Sequence, residues 1–344
     1  MDAGREWRGG QNQVRLLCRG LSEQDGVSVT LVTRAKSELA RRAAAAGVDV
    51  RAVPWRFAWN LVTVNELSRV LHAERPDIVH VHDAHALSVA KWAMALSWRP
   101  ARPALVATRR VDFHLRRPRG WMKCQLIFAV SNAVKQVLVS DGIPAGLVRI
   151  VPDAVDPVEI RREAVAVPNV RARFGIPNDA PLAVNVAALV PHKDQATLLR
   201  AAALVRDRMP DLHWVIAGEG AERSALERMI NELGLHTRAR LVGYIEEANA
   251  LINACDVLAM SSREEGLGSV VLHALALGKP VVATRAGGLP EIVPAPWVVD
   301  VGDAAALGDR VVTAITQKPR MSLPERHTLQ AMVTDVVATY RALT

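Results

Sequence analysis

Short apolar runs alternate with amphipathic segments along almost the whole chain. The apolar runs are rich in Val, Ile and Leu and mostly lack polar alternation, which is typical of parallel strands covered on both faces. Amphipathic segments such as Ala221–Leu233 place apolar residues at helical spacing. This alternation predicts an α/β fold with two doubly wound, Rossmann-like domains. The predicted strands are Val27–Thr33, Ile78–His82, Ala104–Thr108, Leu126–Val130, Val148–Val151, Leu182–Val186, Trp214–Ala217, Val257–Met260, Pro280–Ala283 and Trp297–Val299.

The Pro- and Asp-rich segment Val151–Pro157 is predicted to be a linker between the two domains. We therefore predict an N-terminal domain over residues 1–157 and a C-terminal domain over residues 158–327. The last helix, about residues 328–344, could pack back on the first domain. A doubly wound domain usually opens with a buried strand, but only MDAGREWR precedes Gly9. We therefore expect that the first strand of the N-terminal domain is missing.

The composition is that of an ordinary globular protein. Of the 344 residues, 50% are hydrophobic and 23% are charged, which excludes a disordered chain or a disulfide-stapled miniprotein. The three cysteines lie far apart and form no C-x-x-C pair, so a reducing compartment fits best. No apolar run is long enough to span a bilayer, and the polar start lacks a signal-peptide core. These features predict a cytoplasmic protein.

The positive charge is concentrated in the first half of the chain. Residues 1–160 hold 23 basic and 15 acidic residues, which accounts for the whole net charge of +8. The densest stretch, Arg99–Lys123, carries eight basic residues against Asp112, with Trp98 and Trp121 among them. Such a stretch suits an anionic membrane surface, and a solvated Arg-rich loop is an equal alternative. Because no nucleic-acid-binding motif is present, we expect no nucleic acid partner.

A Gly-rich turn after a buried strand is the most informative feature of the sequence. The segment Ser261–Gly278 places a carboxylate, Glu265, before the turn and an apolar helix after it. Glycines allow a ligand to approach the backbone closely, and the helix N-terminus offers unpaired N–H groups. The segment therefore predicts a diphosphate site, and a second Gly-rich turn at residues 285–291 would line the same crevice. The turn residues assigned to this diphosphate site are Gly266, Leu267, Gly268, Ser269 and Val270.

Other residues are also candidates for binding a ligand or a metal. Lys193 is predicted to open a helix, where its charge opposes the helix dipole unless an anion lies between them, so it is a phosphate-ligand candidate. The histidines of the run VHVHDAH at residues 79–85 could suggest a metal, but no further ligand stands at zinc-site spacing. We therefore expect no metal. The preferred interpretation is that these histidines line a cleft or are simply polar residues at the end of a strand. The run Gly218–Gly220 starts like a dinucleotide fingerprint, but Arg223 replaces the third glycine.

Several of these motifs, in order, resemble those of the group 1 (family 4) glycosyltransferases. The resemblance is carried by Gly9-Gly10-Gln11, Val130-Ser131-Asn132, Val151-Pro152, LVPHK at 189–193, IAGEG at 216–220, and EGLGSVVLHALALGKPVVAT leading into AGGLPEIV at 265–293. The family implies the GT-B fold, in which two Rossmann-like domains face a cleft. It also implies a retaining enzyme whose substrate is a nucleotide-diphosphate sugar, with no cofactor and no obligatory metal.

The resemblance also implies roles for particular residues. Glu265 and Lys193 would be catalytic, with Glu265 at the donor sugar and Lys193 neutralising the leaving diphosphate. The Glu-x7-Glu motif of the family begins at Glu265, and its second position, which contacts the ribose, is His273. The loop holding the glycine pair would face the phosphates. The remaining residues assigned to the donor are Gly9, Gly10, Gly218, Glu219, Tyr244 and Ile245, the last two as the base pocket.

The sequence departs from the family pattern at three places. His273 stands where the second Glu belongs, and Ala188 stands where an Arg would join Lys193. The pair Arg109-Arg110 replaces a His after the strand ending near Thr108, and one of these arginines could supply the charge missing at position 188. Together with His82, both arginines are candidates for acceptor or phosphate binding.

The motifs favour transfer of a sugar from a nucleotide donor to a membrane-associated glycolipid, such as lipopolysaccharide, with retention of configuration. The departures leave two alternatives open. One is a protein that binds a nucleotide sugar without transferring it. The other is an epimerase or phosphorylase on the same fold, which would release nucleotide without an acceptor or would depend on phosphate.

Overall fold

The computed structural model describes residues 1–55, 61–97 and 102–344, which form two compact units. The first unit comprises Met1–Ala154 and Arg326–Thr344, and the second comprises Val155–Glu325. The helices are α1 (Gly9–Ser22), α2 (Glu38–Ala45), α3 (Leu61–Glu74), α4 (Ala84–Leu96), α5 (Pro118–Trp121), α6 (Asn132–Ser140), α7 (Pro157–Val165), α8 (Val170–Arg173), α9 (Gln195–Val205), α10 (Arg223–Glu232), α11 (Ala248–Ala254), α12 (Ser269–Ala276), α13 (Ala304–Gln317) and α14 (Leu329–Arg341). The strands are β1 (Thr30–Arg34), β2 (Asp49–Val53), β3 (Ile78–Val81), β4 (Ala104–Arg109), β5 (Leu126–Ala129), β6 (Val148–Ile150), β7 (Leu182–Val186), β8 (His213–Ala217), β9 (Ala239–Gly243), β10 (Val257–Met260), β11 (Val281–Thr284) and β12 (Val298–Val299).

Parallel strands form the centre of the first unit. One sheet has the order β3-β4-β5-β6, and β1 pairs with β2 in a second sheet. Residues 1–3 lie between the two sheets: the Asp2 N–H donates to Val32 O (3.1 Å), and the His82 N–H donates to Met1 O (3.0 Å). The position expected for a missing first strand is thus taken by these three residues, which form an isolated bridge rather than a full strand.

The last helix completes the core of the first unit. Apolar residues of α14, including Met332 and Val336, pack with Leu17 and Leu21 of α1 and with Phe128 of β5. Gly20 of α1 permits this packing, because a Cβ atom there would lie 2.5 Å from Val333 Cγ2. The end of the chain is therefore part of the first compact unit.

The second unit is built around six parallel strands in the order β12-β11-β10-β7-β8-β9. The four central strands β11, β10, β7 and β8 consist mainly of buried residues, as expected of strands covered by helices on both faces. Helices α9 and α13 pack against each other on this sheet, with Leu198, Leu307 and Val311 in the core. The predicted α/β class with two doubly wound units is confirmed.

Two strands were not predicted from the sequence. Both β2 and β9 lie at an edge of their sheets and carry charged residues, Asp49 and Arg51 in one and Arg240 in the other. Because these charged residues are exposed, the two strands lack the continuous apolar run that identifies the others. The prediction that Lys193 opens a helix was also wrong. Residues Pro191–Lys193 form a 3-10 turn, and α9 is capped by the Asp194 carboxylate, which accepts from Thr197 N–H.

All three cysteines are buried free thiols. In the described ranges, no helix is both long enough and apolar enough to cross a lipid bilayer.

Candidate functional site

The Gly-rich turn of the second unit leads into α12 through a left-handed residue. Gly268 has φ of +94°, and a Cβ atom there would lie 2.6 Å from Leu289 Cδ2. Gly266 and Leu267 are buried in the turn, whereas Ser269 and Val270 are half-buried in the first turn of α12. The first N–H groups of a helix have no partner within it, so this end of α12 favours an anion.

Glu265 and Lys193 come together at this turn. The Lys193 ammonium donates to Glu265 Oε2, and both side chains are largely buried, at 17% and 13% exposed. The Ser262 hydroxyl lies 3.4 Å from the same oxygen. The backbone carbonyl of Glu265 accepts from Gly288 N–H (3.0 Å), which attaches the second Gly-rich turn. The two predicted turns therefore adjoin, and a carboxylate and an ammonium face each other beside them.

The loop that holds Lys193 is bonded directly to the segment before Glu265. The Arg263 N–H donates to His192 O (2.8 Å), and the Ser261 hydroxyl donates to Lys193 O (3.0 Å). The Arg263 guanidinium pairs with the buried Asp194 carboxylate at 2.9 Å. Arg263 thus places a second basic group next to this loop. The sequence analysis missed it, although it stands two residues before Glu265.

Close backbone packing explains both glycines of the IAGEG motif. A Cβ atom at Gly218 would lie 1.9 Å from Ala187 O, and one at Gly220 would lie 2.1 Å from Leu189 O. Between them, the Glu219 carbonyl accepts from Leu189 N–H (2.9 Å), while its carboxylate pairs with Arg223 at 2.9 Å. These residues shape the loop leading to Lys193. Their assignment to the donor stays a prediction.

The proposed base-pocket residues follow β9. Tyr244 is 56% exposed, whereas Ile245 is buried. Gly243, with φ of +76°, accepts from Gly218 N–H at 2.8 Å and so connects this segment to the IAGEG loop. The structure therefore places Tyr244 and Ile245 next to the other loop predicted to bind the donor.

His273 lies on α12 and is connected to two further polar residues by consecutive hydrogen bonds. Its Nδ1 is 2.7 Å from Asn249 Oδ1, and Asn249 Nδ2 donates to Glu163 Oε2 at 2.6 Å. Because the amide donates to the carboxylate, its oxygen faces His273, so Nδ1 carries the proton and Nε2 is the acceptor. The tautomer follows from this bonding pattern. The sequence analysis did not identify Asn249 or Glu163, which are distant from His273 along the chain.

In the first unit, Arg110 connects two of the candidate residues. Its guanidinium pairs with Asp153 at 3.0 Å and donates to His82 Nδ1 at 3.1 Å. Gly9 and Gly10 form the first turn of α1 rather than a loop, and a Cβ atom at Gly10 would lie 3.9 Å from Arg110 Cδ. The expected glycine loop is therefore the start of a helix, and the Arg110 side chain lies beside it.

Arg109 lies apart from this group. It donates to Phe113 O (2.6 Å), and its guanidinium lies over the Trp121 ring, with the carbon 5.7 Å from the ring centroid. Burial lowers the pKa of Arg109. Trp121 is buried, so it does not supply the exposed aromatic expected within the basic stretch. Arg99 and Trp98, at the start of that stretch, lie outside the described residues.

The clustered histidines have protein partners. His80 lies 2.5 Å from the Tyr340 hydroxyl and 2.7 Å from the Thr108 hydroxyl, and its ring centroid is 4.2 Å from that of His82, with the planes tilted by 42°. Burial lowers the pKa of both histidines well below the usual value, and the positive charge of Arg110 acts in the same direction. Across the described residues, no group of three His, Cys, Asp or Glu side chains is arranged to hold a metal ion.

Comparison with known proteins bears on both units. The sequence model described as "Glycosyl transferases group 1" matches residues 167–330, and that described as "Glycosyltransferase Family 4" matches residues 7–159. The solved structure of Alr3699/HepE of Anabaena in complex with UDP and glucose is 20% identical, with a TM-score of 0.85 over 99% of this chain and 98% of that one. At this identity the likeness shows the fold.

Two curated relatives match a smaller part of the chain. The lipopolysaccharide core biosynthesis glycosyltransferase LpsE of Rhizobium meliloti is 32% identical over 166 residues, which is 45% of this chain and 46% of that protein. The GDP-mannose-dependent alpha-(1-6)-phosphatidylinositol monomannoside mannosyltransferase of Mycolicibacterium smegmatis is 36% identical over 173 residues, or 48% of this chain and 45% of that protein. The chain spans about half the length of these relatives. Because the two family models between them match residues 7–159 and 167–330, the chain belongs to the group 1, family 4 glycosyltransferases.

Proposed function

We propose that the protein transfers a sugar from a nucleoside diphosphate to an acceptor, with retention of configuration. The observation that carries the proposal is the Lys193–Glu265 ion pair beside the turn formed by Gly268. Family membership and the UDP- and glucose-bound structural relative support a nucleotide-sugar donor. In this reaction the bond from the anomeric carbon to the diphosphate breaks as the bond to the acceptor oxygen forms on the same face. The departing phosphate oxygen takes the acceptor proton.

The chain supplies charge and geometry for this reaction. Lys193 would neutralise the negative charge that develops on the diphosphate, aided by the N-terminus of α12. Glu265 would bind hydroxyl groups of the donor sugar, and His273 would accept a ribose hydroxyl through Nε2. Binding of the diphosphate would draw Lys193 from Glu265 and free the carboxylate for the sugar. We expect no metal to be required.

Substitutions at the ion pair test this proposal. Glu265→Gln keeps the size of the side chain but removes its charge, so we expect turnover to fall by roughly 10²-fold or more. Glu264→Gln, at the adjacent exposed residue, is the matched control and should retain activity. Lys193→Met should weaken donor binding and lower turnover by a similar factor. Full activity in Glu265→Gln would refute the role of this carboxylate.

A screen of nucleotide sugars tests the donor class. Thermal stability would be measured with UDP-, GDP-, ADP- and CDP-sugars, since a ligand that binds only the folded state raises the melting temperature. One base should stabilise the protein most, and Lys193→Met should reduce that stabilisation. Ala188 and the neutralised Lys193 favour a second candidate, a nucleotide-sugar-binding protein without transfer. Stabilisation without turnover for any donor and acceptor would support that candidate instead.

We also propose that the acceptor is a glycolipid and that the basic stretch contacts an anionic membrane. In its described part, Arg116, Arg117 and Arg119 are exposed, together with the apolar side chains of Phe113 and Met122. Exposed cations beside apolar residues suit the headgroup region of anionic lipid. The lipopolysaccharide and phosphatidylinositol mannoside relatives support an acceptor of this class.

Vesicle binding tests the membrane proposal. The variant Arg116→Gln/Arg117→Gln/Arg119→Gln should bind anionic vesicles roughly 100-fold more weakly, at about 1 kcal/mol per basic residue. A variant with Arg161→Gln/Arg162→Gln/Arg200→Gln, at exposed positions of the second unit, should bind like the parent. Binding should also weaken as salt is raised. Absence of binding at low salt would refute this proposal and leave the donor site untouched.

A further inference from the structure

Among the described residues of the first unit, several buried nitrogen atoms have no hydrogen-bond partner, and three of them belong to residues that contact one another. Arg34 Nε stands at the end of β1, Trp55 Nε1 stands two residues beyond β2, and His85 Nε2 belongs to the first turn of α4, which follows β3. Buried polar atoms in folded proteins are nearly always paired, so each unpaired atom requires an explanation. The carboxyl ends of parallel strands are also where ligands bind in open α/β sheets.

Direct contacts connect the three residues, through the backbone carbonyl of Trp55 on one side and the Trp55 ring on the other. Arg34 donates through Nη1 to Trp55 O and through Nη2 to Ala3 O (3.3 Å). The Trp55 and His85 rings meet edge to face, with their centroids 5.5 Å apart and their planes at 86°. Trp55 is only 1% exposed. The guanidinium is thus positioned by backbone carbonyls, and the indole is positioned by packing.

Within the described residues, Arg34 forms no direct ion pair with a carboxylate. Its bonds go to backbone carbonyls, and the neighbouring Asp83 carboxylate is occupied by the N–H groups of Ala3 and Ala86, each at 2.8 Å. Burial lowers the pKa of Arg34, and the positive charge of Arg5 acts in the same direction, whereas the Asp83 carboxylate acts in the opposite one. Arg34 therefore carries a cation whose hydrogen bonds go to neutral groups, with Asp83 acting on it only from a distance.

The unpaired atoms indicate the chemistry of the absent partner. Arginine Nε–H and indole N–H can only donate, so the partner must supply acceptor oxygens, and a negatively charged oxygen gives the strongest bonds to such donors. We propose that Arg34, Trp55 and His85 bind a phosphate or carboxylate group of the acceptor substrate. The assignment to the acceptor rests on the function proposed above. Solvent does not reach the three nitrogens, so binding requires a side-chain rearrangement, and His85 is the less buried partner of the Trp55 ring.

Indole NMR signals test the site without any turnover. In the protein labelled with ¹⁵N at its eight tryptophans, Trp55→Phe identifies the Trp55 signal, because it keeps the ring packing and removes the N–H. Glycerol phosphate and methyl glucuronide are the anionic probes, and methyl glucoside is the neutral control. We expect a saturable shift of the Trp55 signal with an anionic probe and none with the neutral sugar. The exposed Trp92 on α4 should not respond. The stronger probe decides between phosphate and carboxylate.

A charge variant decides whether Arg34 is the anchor. Arg34→Gln should weaken probe binding at least 10-fold, whereas Arg51→Gln, which removes an ion-paired arginine from β2, should not. If Arg34→Gln does not fold, Trp55→Phe supplies the second test, because loss of the indole donor should also weaken probe binding measured by calorimetry. No saturable Trp55 shift with either anion in the tens of millimolar range would overturn the proposal.

The same sample separates this proposal from the proposed function. Thermal stabilisation by nucleotide sugars reports on the second unit, so an intact donor response with a silent Trp55 signal would overturn the anion site alone. If the site binds its anionic probe but the protein transfers no sugar, the assignment of the site to the acceptor is overturned. Activity with an anionic acceptor, and a rise in the acceptor KM in Arg34→Gln with little change in kcat, would support both.

Discussion

The turn before α12 depends on one residue, Gly268, whose φ of +94° is rarely adopted by residues with a side chain. In Gly268→Ala we expect a loss in the free energy of unfolding of about 1–2 kcal/mol from the backbone, and more from the contact with Leu289. Gly26→Ala is the matched control, because Gly26 has φ of +75° with nothing within 4 Å of its added Cβ. Urea denaturation of both variants measures the difference. Equal losses would contradict the proposed clash.

Single residues also show which parts of the candidate site can be predicted from the sequence. Glu265 and Gly268 could be identified because a carboxylate, a glycine turn and an apolar helix follow one another within a short segment. Lys193 was also a candidate, but its ion pair with Glu265 could not be predicted, and Asn249 and Glu163 were missed because they reach His273 from separate elements. His273 was correctly expected on the helix after the turn. Its tautomer depends on Asn249, and only the folded chain shows that contact.

At the scale of elements, burial decides which parts of the fold the sequence predicts. Central strands such as β7 and β10 are buried on both faces and stand out as apolar runs. The edge strands β2 and β9 retain charged side chains, so their sequences resemble loops. The cap of α6 depends on local chemistry alone: the Ser131 hydroxyl accepts from Val134 N–H at 3.1 Å. Features that depend on neighbours along the chain are predictable, whereas those that depend on distant contacts are not.

The packing of α1 on α14 gives a prediction for these two elements. Replacing glycine by alanine inside a helix ordinarily stabilises it by about 0.5–1 kcal/mol. At Gly20 the sign should reverse, because the added Cβ would lie 2.5 Å from Val333 Cγ2. We expect Gly20→Ala to lower the free energy of unfolding by about 1–3 kcal/mol.

A double-mutant cycle measures the coupling between the two helices. In the background Val333→Ala the clash is absent, so adding Gly20→Ala there should cost less than in the parent protein. Denaturation of the parent, both single variants and the double variant gives the coupling energy. An additive result would show that α14 does not press against Gly20.

Across the whole molecule, the two units differ in the chemistry they bury. The second unit places a buried ion pair at its Gly-rich turns, through Lys193 and Glu265. The first unit buries two adjacent histidines, His80 and His82, beside the guanidinium of Arg110. The net positive charge of the chain also lies within residues 1–160. The units should therefore respond differently to acid, and the first unit should be the more sensitive.

The pH dependence of stability tests this difference. Burial lowers the pKa of His80 and His82 in the folded protein, so the unfolded chain binds protons more readily as the pH falls below the usual histidine value of about 6.5. The stability is thus fully present above that value and is lost below it. Between about pH 7.5 and about pH 5.5, we expect a loss of up to about 1.4 kcal/mol per histidine. Urea denaturation of the parent and of His80→Gln/His82→Gln gives the comparison, and the variant should show the smaller change with pH. The same pH slope in both proteins would assign the acid sensitivity to other groups, such as His213 of the second unit, whose pKa is also lowered by burial.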